Sequence, residues 1–145
     1  METGAVAQGS GLSERMAVEL RNAGLRPTRQ RVELGCVIFA RGHRHVSAEE
    51  LHAEAEAAGV SVSLATVYNA LHQFTEAGLL REVAIDATRT YFDTNVSDHH
   101  HFFVEGESQL IDLIDDIGIG RLPEPPAGME ITSVDLVVRV RRRRG

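Results

Sequence analysis

Ser63-Leu-Ala-Thr-Val-Tyr-Asn-Ala-Leu-His-Gln-Phe74 is the stretch on which the reading of this chain turns. Leu64, Val67, Leu71 and Phe74 recur at helical spacing and make one apolar stripe. Ser63, Thr66, Tyr68 and Asn69 fall toward the start and the opposite side. Ser63 is a good N-cap, and Gly78 marks the stop. A recognition helix presents such N-terminal polar residues to base edges and phosphates, and an asparagine amide pairs bidentately with adenine. An ordinary amphipathic helix with a polar outside has the same pattern, so its neighbours must decide.

Working outward, Gly59 to Val62 is a short connection of helix-turn-helix length. Before it, Ser47-Ala-Glu-Glu50 has the form of a capping box opening a third helix. Thr28, after Pro27, caps a second helix running to Arg41, with Val32, Cys36 and Phe39 on its buried side and Leu34 and Ile38 widening it. His45 falls at the end of that helix. Ser13 caps a first helix to about Ala23, behind a flexible leader over 1–11. After Gly78 the period changes: Leu80 to Ile85 and Thr88 to Phe92 read as strands around Asp86-Ala87, a weak turn signal without glycine. Helices followed by a β-hairpin outline a winged helix. The fold class is therefore α+β: a winged helix-turn-helix domain over 12–93, a hinge at 94–98, and a small α/β dimerisation and sensing domain over 99–145. In the last, 101–104, 109–113 and 131–140 read as strands, with Gly118, Gly120, Pro123, Pro125 and Pro126 breaking the segment between the last two. So short a unit is expected to gain stability by pairing with a second copy.

Composition narrows the classes. Of 145 residues, 43% are apolar and 25% charged, the profile of a globular chain that buries a core. No apolar run approaches the roughly 20 residues that cross a bilayer, and the start lacks a secretory pattern; a cytoplasmic protein without membrane contact is expected. One cysteine, Cys36, excludes an internal disulfide and a four-cysteine zinc site. The net charge of −6 argues against nucleic acid only as a bulk number. Every one of the 15 basic residues is arginine, and Arg21, Arg26, Arg29 and Arg31 lie together without an acid. Arg139 and Arg141–Arg144 close the chain, while the stretch from Asp98 to Asp135 holds nine acids and one arginine. Phosphate responds to local charge. Arg26 and Arg29 with Thr28 at a helix start, and Arg89 in the wing, are candidates to grip a DNA backbone, beside Ser63, Thr66, Tyr68 and Asn69.

Histidine gives the sharpest chemical signal. In a strand, His99 and His101 share one face and His100 takes the other. Two imidazoles side by side are a metal-ligand arrangement, which Asp93, Asp112 and Asp98 can join, with His45 as the contribution from the first domain. Nitrogen and oxygen donors suit Fe(II), Mn(II) or Zn(II) without choosing among them. His43, His52 and His72 read as surface or packing residues. Two histidines and a carboxylate also describe a non-haem iron oxygenase centre, and a histidine-rich metal buffer is a third reading. The first lacks a barrel-sized strand set; the second leaves the basic stretch unexplained.

Four ordered motifs, Gly24-Leu-Arg-Pro-Thr-Arg-Gln-Arg31, His45-Val-Ser-Ala-Glu-Glu-Leu51, Val62-Ser-Leu-Ala-Thr-Val-Tyr68 and His99–His101, resemble the ferric uptake regulator (Fur) superfamily. Within it, Tyr91-Phe-Asp-Thr-Asn95, His99-His-His-Phe-Phe103 and Val134-Asp-Leu-Val-Val-Arg139 are similar to the iron response regulators (Irr) of alphaproteobacteria. The resemblance implies a dimeric winged-helix transcription factor, with a tetramer open. Its operators would be AT-rich inverted repeats on double-stranded DNA, and its signal iron or haem status. It also implies a regulatory metal site on His45, Asp93, His99, His101 and Asp112, and a haem surface at His99, His100 and His101. The two aspartates are similar to the peroxide-sensing subgroup, which makes a peroxide- or manganese-responsive repressor the alternative. The family's paired-cysteine zinc site is absent, since Val104 and Glu107 occupy its places, and a late histidine of a further site falls near Val134. Asn69 stands where most relatives have arginine. Cys36 is followed by Val37 rather than proline, so it is given a packing role.

Overall fold

The computed structural model describes residues 3–97, 99–114 and 117–144, with side chains from Gly11 onward. The chain divides into two compact units, Met1–Val96 and Ser97–Gly145.

The first unit carries four helices, α1 (Thr3–Asn22), α2 (Arg29–Phe39), α3 (Ala48–Ala57) and α4 (Leu64–Glu76), and three strands, β1 (His45–Val46), β2 (Arg81–Asp86) and β3 (Arg89–Asp93). Three of the four helices are capped as their sequences require. The Oγ atoms of Thr28, Ser47 and Ser63 accept the amides of Arg31, Glu50 and Thr66, each the orphan donor of a first turn. At the far end of α4, Gly78 takes φ +82°, and Leu79 N–H returns to Phe74 O at 2.9 Å. A residue with a Cβ would be strained there, so this glycine sets the exit from α4 into β2. The helices close over a core that includes Leu20, Leu34, Ile38, Leu51, Leu71 and Phe74, all at 0% exposure. Each such side chain contributes on the order of 1.5–3 kcal/mol by burial.

The helix ends and buried faces differ in detail from expectation. α1 begins at Thr3, so residues 3–11 are helical and not a leader, and Ser13 lies inside the helix. No proline interrupts that stretch, so the helix runs through its small residues. α2 ends at Phe39 and buries Leu34, Gly35 and Ile38, while Val32, Cys36 and Phe39 are half-buried. The reason is α1: a Cβ on Gly35 would stand 2.8 Å from Met16 Sδ, so α1 lies against that side. In α4, Ala70 replaces Leu64 in the buried stripe.

The sheet of this unit has the order β1-β3-β2, antiparallel throughout. β2 and β3 each sit one residue later than expected, and the turn between them is made by a side chain rather than a glycine. The Asp86 carboxylate accepts Thr88 N at 2.9 Å, Thr88 Oγ1 at 2.8 Å and Arg89 N at 3.0 Å. These bonds and the Arg89 guanidinium hold its carboxyl well below the usual carboxylate range. β1 is the larger correction. His45 is not at a helix end; it pairs with Asp93 of β3, and Val46 with Phe92. Thr94 fastens this short strand. Its Oγ1 accepts Arg44 N at 2.8 Å, and its amide donates to Arg44 O at 3.0 Å.

The second unit is a three-stranded sheet of order β5-β4-β6, from β4 (His100–Val104), β5 (Gln109–Leu113) and β6 (Val137–Val140). β5 runs antiparallel to β4 and β6 parallel to it. The strand expected over 131–140 is confined to its last four residues. Phe103 is fully buried, and Arg139 stacks 5.6 Å from the centre of its ring. Arg142 does not hang free: its Nε and Nη2 reach Glu107 at 2.8 and 3.0 Å. Among the described residues no helix is long and apolar enough to cross a membrane.

Replacing Thr94 with valine keeps the shape of that residue and removes the hydroxyl that receives the Arg44 amide. Urea unfolding is expected to show a loss of about 1 kcal/mol with an unchanged m-value. An unaltered midpoint would show that β1 needs no such fastening.

Candidate functional site

In the first unit the β1–β3 ladder sets an imidazole against a carboxylate. His45 Nε2 lies 3.2 Å from Asp93 Oδ2, with their side chains 16% and 1% exposed. Asn95 N–H donates to the other carboxylate oxygen, Oδ1, at 2.8 Å. One oxygen of Asp93 is thus fixed by the backbone, and the other is turned toward the imidazole.

The second unit repeats the arrangement on the β4–β5 ladder, where His101 is the cross-strand partner of Asp112. His99 and His101 present Nε2 to the same oxygen, Asp112 Oδ1, at 3.2 and 3.4 Å. Their ring centres are 4.5 Å apart. His101 is 1% exposed. His99 Nδ1 lies 2.7 Å from Ser97 O; a carbonyl only accepts, so this nitrogen carries the proton. In the neutral ring Nε2 then has a lone pair aimed at a carboxylate oxygen. Either a second proton or a cation must stand between them, and the tautomer is the one a metal ligand needs.

The donor atoms of His99, His101 and Asp112 lie within 4.8 Å of one another. Atoms about 2.1 Å from one ion are about 3–4.2 Å apart; both imidazole–carboxylate separations, 3.2 and 3.4 Å, fall in that range, and nitrogen and oxygen donors suit a borderline divalent cation. His100 takes the other face, as strand alternation requires. Its Nδ1 accepts Leu136 N–H at 3.1 Å, so the three consecutive histidines do not form one surface. Asp98 lies outside the described residues.

The proposed nucleic-acid residues divide between two helices of the first unit. Thr28, Arg31, Thr66, Asn69 and Gln73 line one open cleft of about 330 Å³ at the starts of α2 and α4. Ser63 and Thr66 share a hydroxyl contact of 2.9 Å at the head of α4. Arg31 belongs to the basic stretch read from the sequence, whereas Gln73 was not singled out. Arg31 Nε donates to Gln73 Oε1 at 3.1 Å and its Nη1 to Arg26 O at 2.9 Å, joining α2 to α4. The spacing Asn69–Gln73, one helical turn, was the available signal. Arg29 is paired with Glu33 at 3.0 Å, and Arg89 sits at the hairpin turn against Asp86 at 2.7 Å. Tyr68 is 36% exposed. Its hydroxyl donates to Glu49 Oε1 at 2.8 Å, and that bond raises the phenol above its ordinary range. Cys36 is half-buried, and desolvation pushes its thiol up, which fits a packing role.

Comparison with known proteins agrees on one assignment. The model of the ferric uptake regulator family matches residues 22–139. The chain is 34% identical over 129 residues to the ferric uptake regulation protein of Pseudomonas aeruginosa, covering 87% of this chain and 96% of that one. It is 29% identical over 100 residues to the peroxide-responsive repressor PerR of Staphylococcus epidermidis, covering 69% and 66%. Among solved structures, the P. aeruginosa regulator with manganese superposes with a TM-score of 0.65 at 29% identity, covering 89% of this chain and 98% of that one. The Vibrio cholerae regulator, described by a rearrangement of its DNA-binding domains, gives 0.67 at 25%, covering 87% and 98%. The class is that of metal-responsive transcription regulators. The chain belongs to the ferric uptake regulator family. Members of this family regulate transcription, bind DNA and are dimers; they are not enzymes, and the oxygenase reading falls.

The Tyr68–Glu49 bond has a pH signature. It stabilises the protonated phenol, so its contribution is present below the unfolded pKa of about 10 and is lost as pH rises through the higher folded value. In a Tyr91→Phe background, ultraviolet titration should show Tyr68 ionising above its ordinary range and Glu49→Gln returning it downward. Identical titrations would mean that the bond does not persist in solution.

Proposed function

We propose that the chain is an iron- and haem-linked DNA-binding regulator, in which His45, Asp93, His99, His101 and Asp112 hold one divalent cation. The observation that carries this is the convergence of two imidazole nitrogens on one carboxylate oxygen in the second unit, beside a buried histidine–aspartate pair in the first. Neither set alone supplies a complete shell: one offers two side-chain donors and the other three. Residues 94–98 tether them covalently through a short connection. When bound, the cation supplies charge neutralisation and a cross-link between the units. His45 and Asp93 belong to the unit that carries α4, so engaging them fixes where that helix is presented. This is a coupling free energy between two sites.

In this reading the first unit is a winged helix-turn-helix. α4 enters the major groove of an AT-rich inverted repeat with Ser63, Thr66, Tyr68 and Asn69. Arg26, Thr28 and Arg29 at the head of α2 engage phosphates, and Arg89 on the hairpin reaches the flanking backbone. A homodimer supplies two such helices to the two half-sites. Asn69 favours adenine where an arginine would favour guanine. Haem enters as a competitor for His99 and His101, a role carried by the Irr-like motifs; His100, on the other face against Leu136, drops out of that surface. The peroxide- or manganese-responsive reading is the second, supported by the aspartates at 93 and 112 and by the PerR relatives.

Fluorescence anisotropy of an AT-rich inverted-repeat duplex, with Mn(II) and then haem titrated in, separates these readings. The operator complex is expected to need Mn(II), to be weakened in the His45→Ala variant even with Mn(II) present, and to dissociate with haem. A complex that ignores haem yet fails on metal removal assigns the chain to the peroxide or manganese class. Affinity independent of metal in the wild-type chain would end the metal-coupled reading.

A further inference from the structure

Three rings link the strand that carries Asp93 to the exposed face of α4. Phe92, next to Asp93 on β3, is 1% exposed, and successive strand residues point to opposite faces. Asp93 therefore faces His45 while Phe92 faces the helical core. His72 of α4 meets Phe92 edge-on, with ring centres 5.7 Å apart. One turn earlier, the Tyr68 ring lies near-parallel to His72, with centres 6.4 Å apart and the planes 21° apart. Both separations are within the range in which aromatic pairs prefer offset or edge arrangements. Glu49 holds the far end of Tyr68 through its hydroxyl at 2.8 Å.

From this we infer that His72 is a positioning residue: it transmits the placement of β3 to Tyr68, and so makes the operator affinity of α4 depend on the occupancy of His45 and Asp93. The inference rests on the metal-coupled reading above and names its route. The route is physical rather than statistical, because each member touches the next and the first is the chain neighbour of a ligand. β1 is a two-residue strand fastened at its Arg44 end, so the His45–Asp93 rung has little ladder to resist a small shift when both side chains turn toward a cation. A shift of β3 moves Phe92 on its opposite face. His72 is exposed over that buried ring, so it follows Phe92 without rearranging the core, and its ring bears on Tyr68. The Glu49 bond keeps the tyrosine hydroxyl in place, and the response is a change of ring angle.

The test compares His72→Ala with His72→Phe, the second keeping a ring between Phe92 and Tyr68. The readout is the ratio of operator Kd without and with saturating Mn(II). A purely structural role would weaken both values and leave the ratio alone. His72→Ala is expected to shrink the ratio by roughly threefold or more, as for coupling through packed side chains, and His72→Phe to restore it. A ratio unchanged by His72→Ala in a chain whose wild type is metal-dependent overturns the relay alone. A wild type with no metal dependence overturns the metal-coupled reading.

A second readout needs no DNA. The chain has no tryptophan and two tyrosines, so in a Tyr91→Phe background Tyr68 is its remaining tyrosine emitter. Zn(II) titration should change that emission in the background protein and with His72→Phe, and leave it flat with His72→Ala. Equal responses in all three would overturn the relay.

Discussion

The histidine–aspartate pair of the first unit depends on one rung of a two-residue strand, His45 opposite Asp93. A carboxylate at 1% exposure is expensive to bury unless each oxygen is engaged. Asn95 N–H takes one, and His45 faces the other. The rung cannot support itself by ladder length. It is held from outside, by the backbone exchange between Arg44 and Thr94 and by the Arg44 guanidinium, whose Nη2 meets both oxygens of Glu54 on α3 at 2.9 and 2.8 Å.

The second unit solves the same problem with the same device. His101 stands across an antiparallel ladder from Asp112 as His45 does from Asp93. Alternation along β4 then adds His99 on the same face at no further structural expense. It also explains why His100 is spent on Leu136 instead: the residue between two that share a face must point the other way. Two sheets of different order and different neighbours thus present one kind of pairing, an imidazole edge against a carboxylate oxygen. Nitrogen and carboxylate oxygen brought together in this way are a donor set that a borderline divalent cation favours.

What was legible in the sequence follows from what has a period or a cap. Thr28, Ser47 and Ser63 announce helix starts by chemistry that acts within three residues, and the structure uses all three. The histidine run was legible because strand alternation is local. The rung at His45 was not, since two residues carry no periodicity and their partner is far along the chain; only the histidine's type pointed to it. Asp86 stands where a glycine was sought, and its side chain closes the turn that backbone freedom would otherwise have closed. The helical course of 3–11 was obscured by glycines that read as breaks. Along 131–136, alternation suggested a strand, but the pairing with β4 starts only at Val137. His72 was read as a surface or packing residue because the two rings it meets come from different elements.

The arginines show how a chain of net charge −6 can still address a polyanion. Four of them, in the basic stretch, the hairpin and the tail, are held by a side-chain partner. Arg29 is on Glu33, Arg31 on Gln73, Arg89 on Asp86 and Arg142 on Glu107. Each contact is an exposed or half-exposed one, and exposed ion pairs are worth only about 0–1 kcal/mol. They restrict the rotamers of long side chains without committing the charge. A phosphate arriving at such a guanidinium replaces one oxygen partner with another and finds the entropy of ordering largely already spent. The acids that lower the net charge are, at these places, what holds the cations in position, so total charge and phosphate affinity need not follow one another.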